Sequence, residues 1–260
     1  MTYSIVARDP VTGELGVAVQ TGTFGVGRGV PWAEAGVGAV ATQSYTERSY
    51  GHFGLELLKA GRSPAEALAG LVAADPDERI RQVGIVDAQG RAAAHTGAGC
   101  IREAGHLVGD GFAVQANMMA RDTVWPAMAA AYEAAEGTLA RRLLAALDAA
   151  EAEGGDFRGA QSAALLVVGA EPTGFAWKGQ LSNLRVDDHA DPLGELRRLL
   201  DMEEDYRFER ADHLRPSARL WQAAVEAGDP ALLEPLFAEH PNWRDALRAA
   251  RERGDFPASE

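Results

Sequence analysis

The chain has 260 residues, 47% hydrophobic and 24% charged, which suits one large domain or one domain with a small appendage. A formal charge of −13, from 25 basic and 38 acidic residues, argues against nucleic acid or an anionic membrane surface as a partner. Cys100 is the one cysteine, so no internal disulfide framework exists, and no apolar run is long enough to span a membrane.

Residues 2–8 and 14–21 are rich in β-branched and small apolar side chains. Asp9-Pro10-Val11-Thr12-Gly13 between them is turn chemistry, so the chain opens on a β-hairpin. The N-terminus carries no basic leader or apolar export segment, which makes the cytoplasm the expected location. A Gly-rich loop, residues 21–31, follows. It lacks the acidic residue or the Gly-Lys-Ser/Thr of a phosphate cradle, and reads as a loop needing a permissive backbone. Ala35–Gln43 is expected to be a buried strand, running into a helix at about Arg48–Ala60 that Gly61 caps. Ser63-Pro64-Ala65-Glu66 starts a second helix with a Ser cap, a Pro and a reciprocal Glu.

Residues 80–86 and 91–96 flank Asp87–Gly90 and predict a second hairpin. Phe112–Met118 reads as a strand, followed by Ala-rich helices at about 122–135 and 138–153. Gln161–Val168 is an apolar strand, and residues 181–187 are an edge-strand candidate. Asp191-Pro192 starts a helix to about 206, and from Pro216 the remainder reads as helical. Strands that arrive adjacent and antiparallel, with helices in pairs, fit two sheets with helices outside. A doubly wound parallel sheet is contradicted by the opening hairpin.

Taken together, TYSIVARDPVTGELGVAV, VPWAEAGVGAVATQ, AAAHTGAGC, GDGFAVQANMM, GGDFRGAQSAALLVV and LRVDDHADPLGELRRLLD resemble the bacterial and archaeal domain-of-unknown-function 1028 family over residues 2–200. The resemblance implies an α+β, N-terminal-nucleophile-hydrolase-like fold: a four-layer αββα sandwich of two antiparallel sheets. The division it suggests is 1–190 for that domain and 191–260 for a helical C-terminal tail. EHPNWRDALRAA in the tail is similar to a C-terminal module of some members that is associated with peptidoglycan binding, here abbreviated. Trp221, Phe237 and Trp243 read as the apolar stripe of a small helical unit.

The chemistry is expected at Thr2. An α-amine titrates near pKa ~8 and can act as a base at neutral pH. Removal of Met1, which the small second residue permits, would give Thr2 a hydroxyl nucleophile and a base on one residue. Thr2, Ser4, Val6 and Arg8 share one strand face, opposite Tyr3, Ile5 and Ala7. Ser4 is a weaker nucleophile candidate without an identified base. Gln115 and Asn117 share a face of their strand, and with Gln43 they are candidates for substrate positioning or oxyanion binding. The N–H groups around Ser44–Glu47 are a further anion-favouring position. Arg8, Arg28 and Gln161 are substrate-binding candidates. Asp187, Asp188 and His189 form the one cluster with metal-ligand chemistry, suited to Mn, Zn or Mg, whereas Asp191 reads as a helix cap. His95 and Cys100 flank a short turn but do not by proximity make a nucleophile pair.

The leading expectation is a hydrolase of a small amide or ureido-type bond, acting through Thr2 without a cofactor on a small-molecule substrate, in a homo-oligomer that covers exposed sheet edges. Two alternatives stay open: a non-catalytic member of the same fold that binds a ligand or a protein, and a metal-assisted hydrolase using Asp187, Asp188 and His189.

Overall fold

The computed structural model describes residues 2–207, 220, 223, 224, 227, 229–239 and 241–252. Two antiparallel sheets stack face to face. The larger contains β1 (Thr2–Arg8), β2 (Leu15–Thr21), β7 (Gly105–Gly109), β8 (Phe112–Asn117), β9 (Ser162–Val168) and β10 (Gln180–Val186), in the order β10-β9-β2-β1-β8-β7. The smaller contains β3 (Pro31–Glu34), β4 (Gly38–Ser44), β5 (Arg81–Asp87) and β6 (Ala92–Thr96), in that order.

Helices cover the two outer faces. On the smaller sheet lie α1 (Ser49–Lys59) and α2 (Pro64–Ala74), where Tyr50, Leu55, Leu58 and Leu68 pack on Val40, Val83 and Ile85. On the larger lie α3 (Val124–Ala134), α4 (Leu139–Ala152) and the start of α5 (Pro192–Arg207), whose apolar side chains, among them Met128, Leu143, Leu147 and Leu196, bury in one cluster with Tyr3, Ile5, Val114 and Leu165. Between the sheets, Val6, Leu15, Val17, Val19, Ala39, Ala41 and Val86 make a third apolar layer. The result is the four-layer αββα sandwich, with each central strand buried on both faces. That is why β1, β2 and β9 show no simple alternation of polar and apolar residues.

Local chemistry explains the junctions. In the β1–β2 turn the Asp9 carboxylate accepts from Val11 N–H and Thr12 N–H, each at 2.8 Å, and Gly13 takes φ 74°. Ser63 and Glu66 form the expected capping box. Two strands were not legible in the sequence. β3 is four residues long and opens on Pro31, which is tolerated at the start of an edge strand. β7 is an edge strand bounded by Gly105 and Gly109, with only part of its surface covered.

The first compact unit runs through Leu200, because Leu193, Leu196 and Leu200 are buried in its helical layer. The second, 201–260, includes α6 (Glu234–Glu239) and α7 (Pro241–Glu252), with Ala224, Leu233, Leu236 and Phe237 buried together. Trp243 is half exposed, whereas Trp221 and the helix start expected at Pro216 lie outside the described residues. No helix among the described residues is long and apolar enough to cross a membrane.

An acid-sensitive clamp joins α2 to β5. Asp75 Oδ2 accepts from Arg81 Nε at 2.8 Å and from the Tyr50 hydroxyl at 3.1 Å. The Arg81 bond holds the Asp75 carboxyl below its ordinary range. A carboxyl with a depressed folded-state pKa adds stability above its unfolded value of about 4, and that stability is lost as pH falls through the folded value. Asp75→Asn is therefore expected to lower stability at pH 7 yet flatten the decline in thermal midpoint below about pH 4. Parallel acid limbs for the two proteins would show that the clamp carries no proton linkage.

Candidate active site

At one end the apolar layer between the sheets gives way to a layer of amides and hydroxyls. Thr2 and Ser4 enter it from β1, and Gln115 and Asn117 from β8, where Ser4 pairs with Gln115 and Thr2 with Asn117. Gln43 enters from β4 and Gln82 from β5, and these two residues are register partners. All six are buried; Thr2, at 6% exposure, is the most accessible. The period of two puts Tyr3, Ile5, Phe112, Val114 and Ala116 on the helix side, as the alternation in sequence implies.

The hydrogen bonds order this layer around the first strand. Gln43 Nε2 lies in reach of the Thr2 carbonyl oxygen at 3.1 Å, Gln82 Oε1 at 2.8 Å and the Gln115 carbonyl oxygen at 3.2 Å. Asn117 Nδ2 donates to Gln82 Oε1 at 2.8 Å and reaches the Thr2 carbonyl at 3.4 Å. The Ser4 hydroxyl donates to Gln43 Oε1 and accepts from Gln115 Nε2, both at 2.6 Å. Gln82 Nε2 continues the chain to Thr96 Oγ1 at 2.9 Å, which meets His106 Nδ1 at 2.8 Å. The Thr2 hydroxyl donates to Thr21 Oγ1 at 3.2 Å, and Thr21 is 3.3 Å from Thr23 Oγ1.

These bonds decide between roles that the sequence left open. The amides of Gln43, Gln115 and Asn117 are engaged with β1, with Gln82 and with the β8 backbone, so their donors hold the first strand in place. Ser4 is fully buried and bonded on both sides, which leaves it no path to a substrate. Gln82, Thr21 and Thr96 complete the constellation and were not singled out in the sequence. The available signal was the position of Gln82 on the same face of β5 as Gly84 and Val86.

Gly84 is required by this packing. A Cβ there would lie 2.2 Å from Gln115 Oε1, a buried oxygen without a hydrogen-bond partner. Gly84→Ala is expected to expel the Gln115 amide, break its bond to Ser4 and cost about 3 kcal/mol. Equilibrium denaturation reads this directly; a loss below about 1 kcal/mol would mean the amide layer is loosely packed.

Backbone strain gathers at the same end. Among the described residues, the non-glycine positions with positive φ are Ser44 (72°), Glu103 (50°) and Met118 (57°). Ser44 directly follows Gln43, and Met118 directly follows Asn117. Met118 N–H donates to the Ile101 carbonyl and Met119 N–H to that of Glu103, which fixes the 101–103 segment beside the site. Non-glycine residues held in this region cost on the order of 1–3 kcal/mol each and collect where function over-determines the backbone.

The remaining candidates, Arg8 apart, have partners outside the amide layer. Arg8 is at the far end of β1, roughly 20 Å along the strand from Thr2, and its Nε is buried without a hydrogen-bond partner. Arg28 stacks over Phe24, 4.8 Å from the ring centre. Gln161 reaches the site only through its backbone, donating N–H to the Thr21 carbonyl, while its side chain donates to Asp188 Oδ1 at 2.9 Å. Asp187 pairs with Arg185, and His189 Nδ1 accepts from Asp191 N–H. Asp187, Asp188 and His189 thus turn to separate partners, and no three His, Cys, Asp or Glu side chains among the described residues converge as a metal cage. The helix N-terminus after Ser44 is also occupied: α1 begins at Ser49, whose N–H donates to the Glu47 carboxylate at 3.0 Å. Burial pushes the Cys100 thiol above its ordinary range, and its Sγ donates to the Arg81 carbonyl, so it is not an activated nucleophile. His95 is 3.1 Å from a Glu78 carboxylate oxygen.

The sequence pattern of the Family of unknown function (DUF1028) matches residues 2–196. The chain belongs to the DUF1028 family. A crystal structure of a DUF1028 protein from Silicibacter pomeroyi superposes with a TM-score of 0.70 at 34% identity, covering 77% of this chain and 85% of that one. Anbu, an ancestral β-subunit from Yersinia bercovieri, gives a TM-score of 0.37 at 10% identity over 82% of this chain and 99% of that one. No curated protein matches the chain. The DUF1028 match spans both sheets and every residue of the amide layer, and the 201–260 unit lies outside it.

Proposed function

We propose that this DUF1028 chain is an N-terminal-nucleophile amidohydrolase that cleaves a small amide or ureido-type bond through Thr2. The observation that carries the reading is the setting of that residue. It begins a central strand, turns its hydroxyl between the sheets, and has its carbonyl held by Gln43 and Asn117. A nucleophile so fixed loses little freedom on meeting a substrate.

With Met1 removed, the α-amine of Thr2 takes the hydroxyl proton while Oγ1 bonds to the substrate carbonyl carbon, placing the displaced electron pair on the carbonyl oxygen. Collapse breaks the C–N bond. The leaving amine receives the proton from the α-ammonium, and the acyl group remains as an ester on Thr2. A water deprotonated by the same amine then attacks that ester, releases the acid and returns the proton to Oγ1. A lysine is not assigned to this traffic: Lys59 is ion-paired with Glu34 and Glu56, and Lys178 stacks on Phe175. Arginine cannot exchange protons at neutral pH.

The test is the intact mass of the protein from its own host, joined to trapping of an acyl group on residue 2. A mass lacking one methionine and an acyl adduct on Thr2 are expected. Retention of Met1 overturns the mechanism and favours a binding-only member of the fold.

A further inference from the structure

An open cleft of about 400 Å³ adjoins the amide layer, lined among others by Thr96, Cys100, Arg102, Glu103, Asp122 and Trp125. This is the size class of small-molecule sites. It shares structure with the candidate site at two points. Thr96 Oγ1 is the acceptor that Gln82 reaches from the amide layer. The 101–103 segment is fixed by the backbone N–H groups of Met118 and Met119, immediately after Asn117.

The cleft brings charges of both signs together. Arg102, Glu103 and Asp122 line it and pair neither with one another nor with any other described residue. Glu103 is held there in a left-handed conformation that its side chain makes unfavourable. Trp125 is fixed as a wall: a Cβ on Gly105 would lie 2.5 Å from its ring. A rigid flat wall, one cationic group and two anionic groups around a small volume complement a ligand that carries both charges at a short separation.

We propose that this cleft binds a zwitterionic amide of dipeptide size, its carboxylate toward Arg102 and its ammonium toward Glu103 and Asp122. The cleft would thereby set the substrate class of the Thr2 reaction. For turnover the inference rests on the Thr2 reading; for binding it stands apart.

The full chain, labelled with ¹⁵N at tryptophan, is titrated with glycylglycine, N-acetylglycine, glycinamide and N-acetylglycinamide, which present both charges, either one, or none on one frame. Trp125→Phe assigns the Trp125 indole resonance. Glycylglycine is expected to shift that resonance and to bind at least tenfold more tightly than the other three, and Arg102→Ala, an exposed substitution, should remove the advantage. Equal binding of all four probes, no response at Trp125, or an unchanged preference in Arg102→Ala would overturn the assignment. Thr2→Ala should keep the binding while losing hydrolysis. Binding without hydrolysis by a wild-type chain whose Met1 is removed would remove the Thr2 reading and leave the cleft assignment standing.

Discussion

Thr2→Ala is expected to lower kcat/KM on a cleaved amide by at least about 10³-fold, equivalent to roughly 4 kcal/mol of transition-state stabilisation. The same substitution should change stability by only about 1 kcal/mol, since the hydroxyl's bond in the folded chain is the one at 3.2 Å to Thr21. This separation of catalytic from structural effect is the useful feature of the experiment. Thr2→Ser keeps an oxygen on the same carbon and should retain measurable turnover, whereas Ser4→Ala should affect stability more than Thr2→Ala does, because Ser4 bridges two amides inside the layer. Undiminished turnover by Thr2→Ala would place the nucleophile elsewhere. Equal loss for Thr2→Ser and Thr2→Ala, with intact folding, would indicate a steric rather than a nucleophilic role.

The second large effect is on the fold. Gln43→Ala should cost about 3–5 kcal/mol, because it strips partners from the buried Thr2 carbonyl, the Gln115 carbonyl, the Ser4 hydroxyl and Gln82. For a domain of this size that corresponds to a fall in thermal midpoint of roughly 10 °C. Gln161→Ala is the matched control: its side-chain bond goes to exposed Asp188, and a change within about 0.5 kcal/mol is expected. Turnover in Gln43→Ala, measured well below its midpoint, should also drop, since the amide positions Thr2 through its backbone. Loss of stability under 1 kcal/mol would mean that water replaces the missing donor and that the layer is not sealed.

Which parts were readable beforehand follows from the kind of information each carries. The hairpin over 2–21 was legible because turn chemistry at Asp9 and Gly13 is local. The α2 start was legible because Ser63 and Glu66 satisfy each other within one turn. The shared face of Gln115 and Asn117 followed from the two-residue period of a strand. β7 was not legible, because its Gly-flanked residues pair only through β8 at the sheet edge. The metal reading of Asp187, Asp188 and His189 failed to assemble for a related reason. Closeness in sequence does not make side chains point together, and here they turn to Arg185, Gln161 and Asp191.

By itself, then, the sequence determined the strand-forming N-terminus, the order of all strands but β3 and β7, the family pattern and the choice of Thr2, Gln43, Gln115 and Asn117 as residues to watch. Tertiary structure alone decided that β1, β4, β5 and β8 bring those side chains into one buried layer, that Gln82 and Gly84 belong to it, and that Arg8, at the far end of β1, does not. The physical reason is burial between sheets. Hydrogen-bond partners of a buried amide must come from whichever strand faces it, and the partners of Gln43 are 39 to 72 positions away along the chain.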